Sequence, residues 1–416
     1  MSVLRSFSRN VIPPAGIVRL LAVSNLAKTT ANGVIMAVSV LYFTRVVGIP
    51  AQQVGLALTL GAAIGMLFSV PAGRAADVQG PRKVTVVLLV VLGVAACSYA
   101  AVSGFVGLVV ATAAVLGLDS AAQASRGALL AGLLSGEERP RALAYMRSMA
   151  NIGVSLGAVA GGLGLLIDSR AGYLALFLVA GALFAVSGMA FLRVPAVPGG
   201  PSTQEGPSLP VLRDHPYAVV SLLNAVLVMS DPVLTVAVPV WISQHTSAPP
   251  FFYTVVLLIN TAVVILFQVR VSKGTESVPG GALAWVRSGV ALAICCAVFA
   301  LAAGRPVWLA CVLLLVGALV HVLGEMLHGA GAWSLSFGLA PEGAHGQYQG
   351  LFEMSTQLGT TLAPLAITAA LTGLGGLGWA VFAGMFLFAG ASARPLSAWA
   401  VRTRTPVPEP AIGTES

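Results

Sequence analysis

The sequence predicts an all-helical membrane protein of twelve transmembrane helices in two six-helix bundles. Three observations predict it. Of the 416 residues, 57% are hydrophobic and only 9% charged, with a mean hydropathy of +0.92. So little polar surface cannot cover a water-soluble globule, which argues against a soluble enzyme domain. Apolar runs of about 20 residues, the length that crosses a bilayer, recur twelve times along the chain. One long stretch rich in Pro, Gly and Ser, residues 194–215, divides them six and six.

In chain order the spans are expected at 18–43, 53–73, 84–103, 105–126, 143–167, 171–193, 216–243, 250–269, 281–303, 306–329, 347–373 and 376–400. The expected organisation is a first bundle over 1–193, a linker over 194–215, a second bundle over 216–402 and a tail over 403–416. The first span is not followed by a small-residue cleavage site, so it is expected to be retained rather than removed as a signal peptide.

Basic residues set the orientation. With a cytoplasmic N-terminus, the inner side receives Arg5, Arg9, Arg19, Arg74, Arg82, Lys83, Arg126, Arg139, Arg141, Arg147, Arg193, Arg213, Arg270, Lys273, Arg394, Arg402 and Arg404. The outer side receives only Arg45, Arg170 and Arg305, an asymmetry of seventeen to three. Both termini are therefore expected in the cytoplasm of a multi-pass protein of the cell membrane. The net charge of +8 is a topology signal and does not point to nucleic acid. Cys97, Cys295, Cys296 and Cys311 all fall within apolar spans, where a disulfide across an outer loop is not expected.

The halves read as a repeat. A shift of 206 superposes Asp119 on Glu325, Arg147 on Glu353, Asn151 on Gln357 and Gly153 on Gly359. A shift of 199 superposes Asn25 on Asn224, Asn32 on Asp231 and Tyr42 on Trp241. Parallel repeats of this kind enclose a central substrate site.

Ionisable groups inside a span cost several kcal/mol unless they face a cavity or a partner, so each is a candidate. Asn25, Lys28 and Asn32 share one face of the first span, with Lys28 near the midplane. Lys28 either lines the cavity or pairs with a nearby carboxylate. Asn224 and Asp231 share a face of span 7, and Asp231-Pro232 is expected to kink it. Asp231 either binds a cation or proton or neutralises Lys28. Asp119, Gln123 and Arg126 lie along span 4, and Arg147 on span 5 falls at the depth of Asp119, so an Asp119–Arg147 ion pair is expected. In the second half, His321, Glu325 and His328 line up on span 10 and Glu353 sits on span 11. Two carboxylates at one depth cannot both be charged cheaply, which is the requirement for a proton-carrying site. The alternative is a gate latch between the halves. His321-x3-Glu325-x2-His328 matches no zinc motif, and no cofactor fingerprint or nucleophile elbow is present, so neither metal nor cofactor is expected.

Between spans 2 and 3 lies a short charged hairpin, Gly73-Arg-Ala-Ala76-Asp77-Val-Gln-Gly80-Pro-Arg82-Lys83. It resembles the loop between helices 2 and 3 of the major facilitator superfamily, Gly-x-Leu-Ala-Asp-Arg-x-Gly-Arg-Arg, with matches at Gly73, Ala76, Asp77, Gly80 and Arg82 and departures at Ala75, Val78 and Pro81. Span 5 carries Gly153-x3-Gly157-Ala158-x2-Gly161-Gly162, which resembles in part a glycine motif of drug/proton antiporters. The same glycines would also serve close helix packing. The resemblance implies a central cavity lined by helices 1, 4, 7 and 10, carrying Asn25, Lys28, Asn32, Asp119, Asn224, Asp231, His321 and Glu325. It implies an inner gate of helices 4, 5, 10 and 11, where Arg126 or Arg147 bridges to Glu325 or Glu353. Asp77 and Arg82 would lock that side near span 4 or 5. The implied activity is proton-coupled export of a small amphipathic compound by a monomer in the lipid bilayer. Import of a small organic anion and a polytopic membrane enzyme using His321 and Glu325 are the alternatives.

Overall fold

The computed structural model describes residues 13–134, 138–167, 169–200 and 209–403. The centre of the expected linker (201–208) and most of the expected tail (404–416) lie outside the described residues, as do residues 1–12 with Arg5 and Arg9. No strand occurs among the described residues. The described residues form twelve long helices: α1 Ile17–Val46, α2 Ala51–Gln79, α3 Pro81–Ala101, α4 Phe105–Leu133, α5 Glu138–Ile167, α6 Arg170–Arg193, α7 His215–His245, α8 Phe252–Val271, α9 Val278–Leu301, α10 Val307–Gly338, α11 His345–Leu374 and α12 Gly376–Arg402. Eleven of them are long and apolar enough to cross a bilayer. The remaining helix, α5, opens on Glu138, Arg139 and Arg141 and is free of charged residues from Ser148 to Ile167.

Local chemistry explains the boundaries. Gly80 adopts φ +94° between α2 and α3, a conformation that favours glycine, and Pro81 follows at the first turn of α3, where a missing N–H costs nothing. Side chains cap three other starts. Ser169 accepts from Gly172 N, Asp214 from Tyr217 N and Ser277 from Gly280 N. The expected hairpin at residues 73–83 is a correction: helix continues through Gly73 and Asp77 to Gln79, and the turn shrinks to Gly80. Regular helix is interrupted in α7 where the kink is expected. Regular helix ends at Leu227, and a π-helical turn runs over Val233–Ala237 beyond Pro232.

Buried apolar side chains form two large clusters. One draws on residues between Leu21 and Val194 and includes Phe337; the other draws on residues between Val211 and Ala400 and includes Val70. Phe337 and Val70 are thus pegs, each inserted from one half of the sequence into the core of the other. Internal relationships recur under the sequence shifts. Tyr42 donates to the Ala100 carbonyl (3.3 Å), and Trp241 donates to the Phe299 carbonyl (2.8 Å), both partners being 199 residues on. Tyr42 packs on Tyr173 and Trp241 on Trp379, each with ring centroids 5.7 Å apart. A Cβ on Gly153 would collide with the Leu26 carbonyl, and one on Gly359 with the Ala225 carbonyl. Gly153, Gly157 and Gly161 of α5 therefore serve close packing against α1, where Gly157 also meets Gly33.

Candidate functional site

A cavity of about 370 Å³ lies where α1, α4, α5, α7, α10 and α11 converge. Asn25, Lys28, Asn32, Asp119, Arg126, Arg147, Asn224, Asp231, His328 and Glu353 all line it, together with Gln123, Gln349, Trp333, Phe337 and Phe352. Such a volume with mixed polar and aromatic walls fits a small organic molecule.

The charged side chains form two groups. In the first, Lys28 Nζ lies 2.6 Å from Asp119 Oδ1, and Lys28 is only 3% exposed. Arg126 Nη1 donates to Asn25 Oδ1 (2.5 Å), and Asn25 Nδ2 donates to the Met146 carbonyl (2.6 Å). Asn25 thereby ties α1 to α4 and α5. Glu353 stands within electrostatic reach of Asp119, Lys28 and Arg126 and accepts a bond from Gln357 (3.1 Å). Two cations face two carboxylates, so the group is balanced.

The second group spans the two halves. Arg147 Nη2 donates to Glu325 Oε1 at 2.5 Å, while Asn260 Nδ2 donates to Glu325 Oε2 at 2.9 Å. Asp231 lies within electrostatic reach of Arg147 and Glu325, and its Oδ1 has no hydrogen-bond partner among the described residues. Here one arginine serves two carboxylates, and His321 also stands within electrostatic reach of Glu325; with that imidazole neutral, one negative charge is in excess.

These contacts correct several expectations. Asp119 and Arg147 do not pair: Lys28 on the adjacent α1 takes Asp119, and α5 is rotated so that Arg147 points across the join to α10. Gly329 makes room for its guanidinium there, since a Cβ at that position would press on it. Asp231 does not neutralise Lys28. Glu325 and Glu353 do not share a site but belong to different groups, because they face different cations. Glu325 and His321 do not line the cavity. His321 is fully buried, with Nε2 2.9 Å from the Ser230 carbonyl at the break in α7. His328 instead lies 2.9 Å from Asn224 Oδ1, and Asn224 Nδ2 donates to Ser355 (3.1 Å) and Thr356 (2.8 Å). Asn224 thus ties α7 to α10 and α11, as its repeat partner Asn25 ties α1 to α4 and α5.

At the Gly80 end the halves meet closely. Asp77 Oδ1 accepts from Gly346 N (2.6 Å) and Oδ2 from Gln347 N (3.0 Å), so this carboxylate caps the first turn of α11. The lock lies on span 11, not on span 4 or 5. Gly73 and Gly346 pack backbone against backbone with no room for a Cβ on either, and Gly350 does the same on Ser69. Arg82 donates to the Val194 carbonyl (3.0 Å), which fastens α3 to the end of α6 rather than to another gate helix.

Asn260 was not singled out in the sequence, although it is the lone Asn in the apolar run of α8. Ser355 and Thr356 gave no signal at all. All four cysteines are free thiols, and among the described residues no three His, Cys, Asp or Glu side chains are grouped to hold a metal ion.

Comparison with known proteins bears on what this geometry serves. The FucP transporter, solved in the outward conformation, superposes with a TM-score of 0.71 at 13% identity, over 91% of this chain and 98% of that one. The human organic anion transporter MFSD10 (TETRAN) superposes with a TM-score of 0.66 at 16% identity, covering 93% and 99%. A bacterial homologue of the iron transporter ferroportin in its outward-facing state gives 0.67 at 16% identity, covering 93% and 100%. At these identities the likeness establishes the fold alone. No curated protein matches by sequence. The family model of the Major Facilitator Superfamily matches residues 21–364. With a cavity between paired helical halves and a family match over most of its length, the chain belongs to the Major Facilitator Superfamily and is a membrane transporter rather than an enzyme.

Proposed function

We propose that the protein is a proton-coupled exporter of small amphipathic compounds, working by alternating access as a monomer. In this reading its twelve helices cross the cell's inner membrane as two six-helix bundles, with both termini cytoplasmic, as the seventeen-to-three asymmetry of basic residues supports. The Gly80 end is then the inner side. The cavity's charged walls beside Trp333, Phe337 and Phe352 suit an amphipathic substrate.

The observation that carries the coupling is the single arginine shared by Glu325 and Asp231. While the inner side is closed, Arg147 neutralises Glu325, and a proton on Asp231 removes the excess charge. When α5 and α10 part, Glu325 loses its cation and becomes the acceptor. The occupancy of the proton site is thereby tied to the conformation, and latch and proton site are two aspects of one group.

A growth-inhibition screen of expressing cells identifies the substrate as a compound to which they become resistant. In proteoliposomes, Asp231→Asn is then expected to abolish uphill transport driven by a pH gradient while sparing downhill exchange. Intact uphill transport in that variant overturns the proton role. The second reading, import of a small organic anion, is favoured by Lys28 and Arg126 in the cavity wall, and predicts uptake without resistance.

A further inference from the structure

A second, smaller cavity of about 80 Å³ lies beside the first at the Gly80 end, lined by Arg139, Pro140, Glu276, Ser334 and Gly338. The two cavities share three residues, Leu143 on α5 and Trp333 and Phe337 on α10. These three residues face both spaces. Phe337 occupies the last turn of α10 yet packs into the core of the first half. The Arg139 guanidinium covers its ring at 5.1 Å and is itself held by the carbonyls of Leu134 (2.7 Å) and Ala131 (3.0 Å) where α4 ends. A cation fixed by one half thus holds a ring belonging to the other.

We infer that Phe337 is the plug between the central cavity and a vestibule through which substrate enters, and that the vestibule is a substrate waypoint. Arg139 and Glu276 at its mouth offer one charge of each sign beside the aromatic rings, which suits an amphipathic zwitterion or a cation with a polar tail. The inference rests on the transport reading above. Separating the halves at this end withdraws Phe337 from beneath Arg139 and joins the two spaces. Cation–π contact and ring burial both favour the plugged state, and neither survives the separation.

The test uses full-length protein with its four cysteines replaced by serine and one reporter, Ala150→Cys, in the wall of the central cavity. A membrane-impermeant thiosulfonate is applied from the face that carries Arg139. Removing the ring with Phe337→Ala is expected to speed labelling by about tenfold or more, the equivalent of losing about 1.4 kcal/mol of closure, whereas Phe337→Trp keeps the slow rate. Arg139→Gln, which leaves the ring in place, is expected to give an intermediate rate. Equal rates in Phe337→Ala and its parent overturn the plug. Labelling is read without substrate or pH gradient, so it can fail while export stands, or succeed where export is absent.

Discussion

Arg147 and Glu325, 178 residues apart in sequence, meet at 2.5 Å across the join between the two halves. Glu325 is buried while Arg147 keeps 23% of its side chain exposed, and Asn260 satisfies the second carboxylate oxygen. Leaving one partner of a fully buried pair uncompensated costs about 3–5 kcal/mol; solvent at Arg147 lowers that cost here, and what remains biases which side of the molecule is open. Glu325→Gln is therefore expected to lengthen the distance between spin labels placed across the Gly80 end, as measured by double electron–electron resonance. The exchanged pair, Arg147→Glu with Glu325→Arg, should restore part of the short-distance population. An unchanged distribution in Glu325→Gln would show that the pair does not hold the closed state.

The Asp77 cap on α11 predicts a different phenotype. Asp77→Asn keeps one acceptor oxygen but loses the charge that favours a helix N-terminus, a loss of about 1 kcal/mol. Transport should fall while substrate binding to solubilised protein stays near normal. A binding affinity that falls in parallel with transport would place Asp77 in a different role.

Glu353→Gln should separate from Asp231→Asn. Glu353 belongs to the balanced group of Lys28, Asp119 and Arg126, so its neutralisation adds a net positive charge to the cavity wall and leaves the Arg147 group intact. Gradient-driven transport is expected to persist, with preference shifted toward more acidic substrates. Loss of gradient coupling in Glu353→Gln would return the proton to that residue.

The α1–α5 contact gives a stability prediction. A side chain at Gly157 meets the Thr30 carbonyl and the backbone of Val34, whereas Gly162, in the same helix, has open space where a Cβ would sit. Overpacking of this kind costs about 1–3 kcal/mol. Gly157→Leu should lower the thermal midpoint of the detergent-solubilised protein and Gly162→Leu should not; equal midpoints would refute the packing role.

Composition, span length and the spacing of Asn25, Lys28, Asn32, Asn224 and Asp231 were readable because a helix has a fixed period and the bilayer a fixed thickness. Of the pairs matched by the shifts of 199 and 206, Asn25 with Asn224, Gly153 with Gly359 and Tyr42 with Trp241 make equivalent contacts, whereas Asp119 and Glu325 take different partners. Partnership across the join was readable only as a set, Arg126 or Arg147 with Glu325 or Glu353, of which Arg147 with Glu325 is the pair formed. Depth along a helix follows from counting, but rotation about its axis does not, and rotation decides that Arg147 meets Glu325 and Lys28 meets Asp119. Asp77 could be marked as a latch from its loop, yet its acceptor contacts are backbone amides 269 and 270 residues away. Amide donors are present in every residue and leave no pattern in a sequence.

The aromatic pairs far from the join have a mechanical consequence. Tyr42 with Tyr173, and Trp241 with Trp379, weld each half internally at the end away from Gly80. A half braced in this way is expected to turn as a lever. A helix the length of α2, 29 residues, extends about 44 Å at 1.5 Å per residue. Tilting it by about 10° around its middle carries each tip through about 4 Å. That arc exceeds the reach of any hydrogen bond, so the Asp77 cap releases in full rather than stretching, and the opening acquires the abruptness of a snap-action joint.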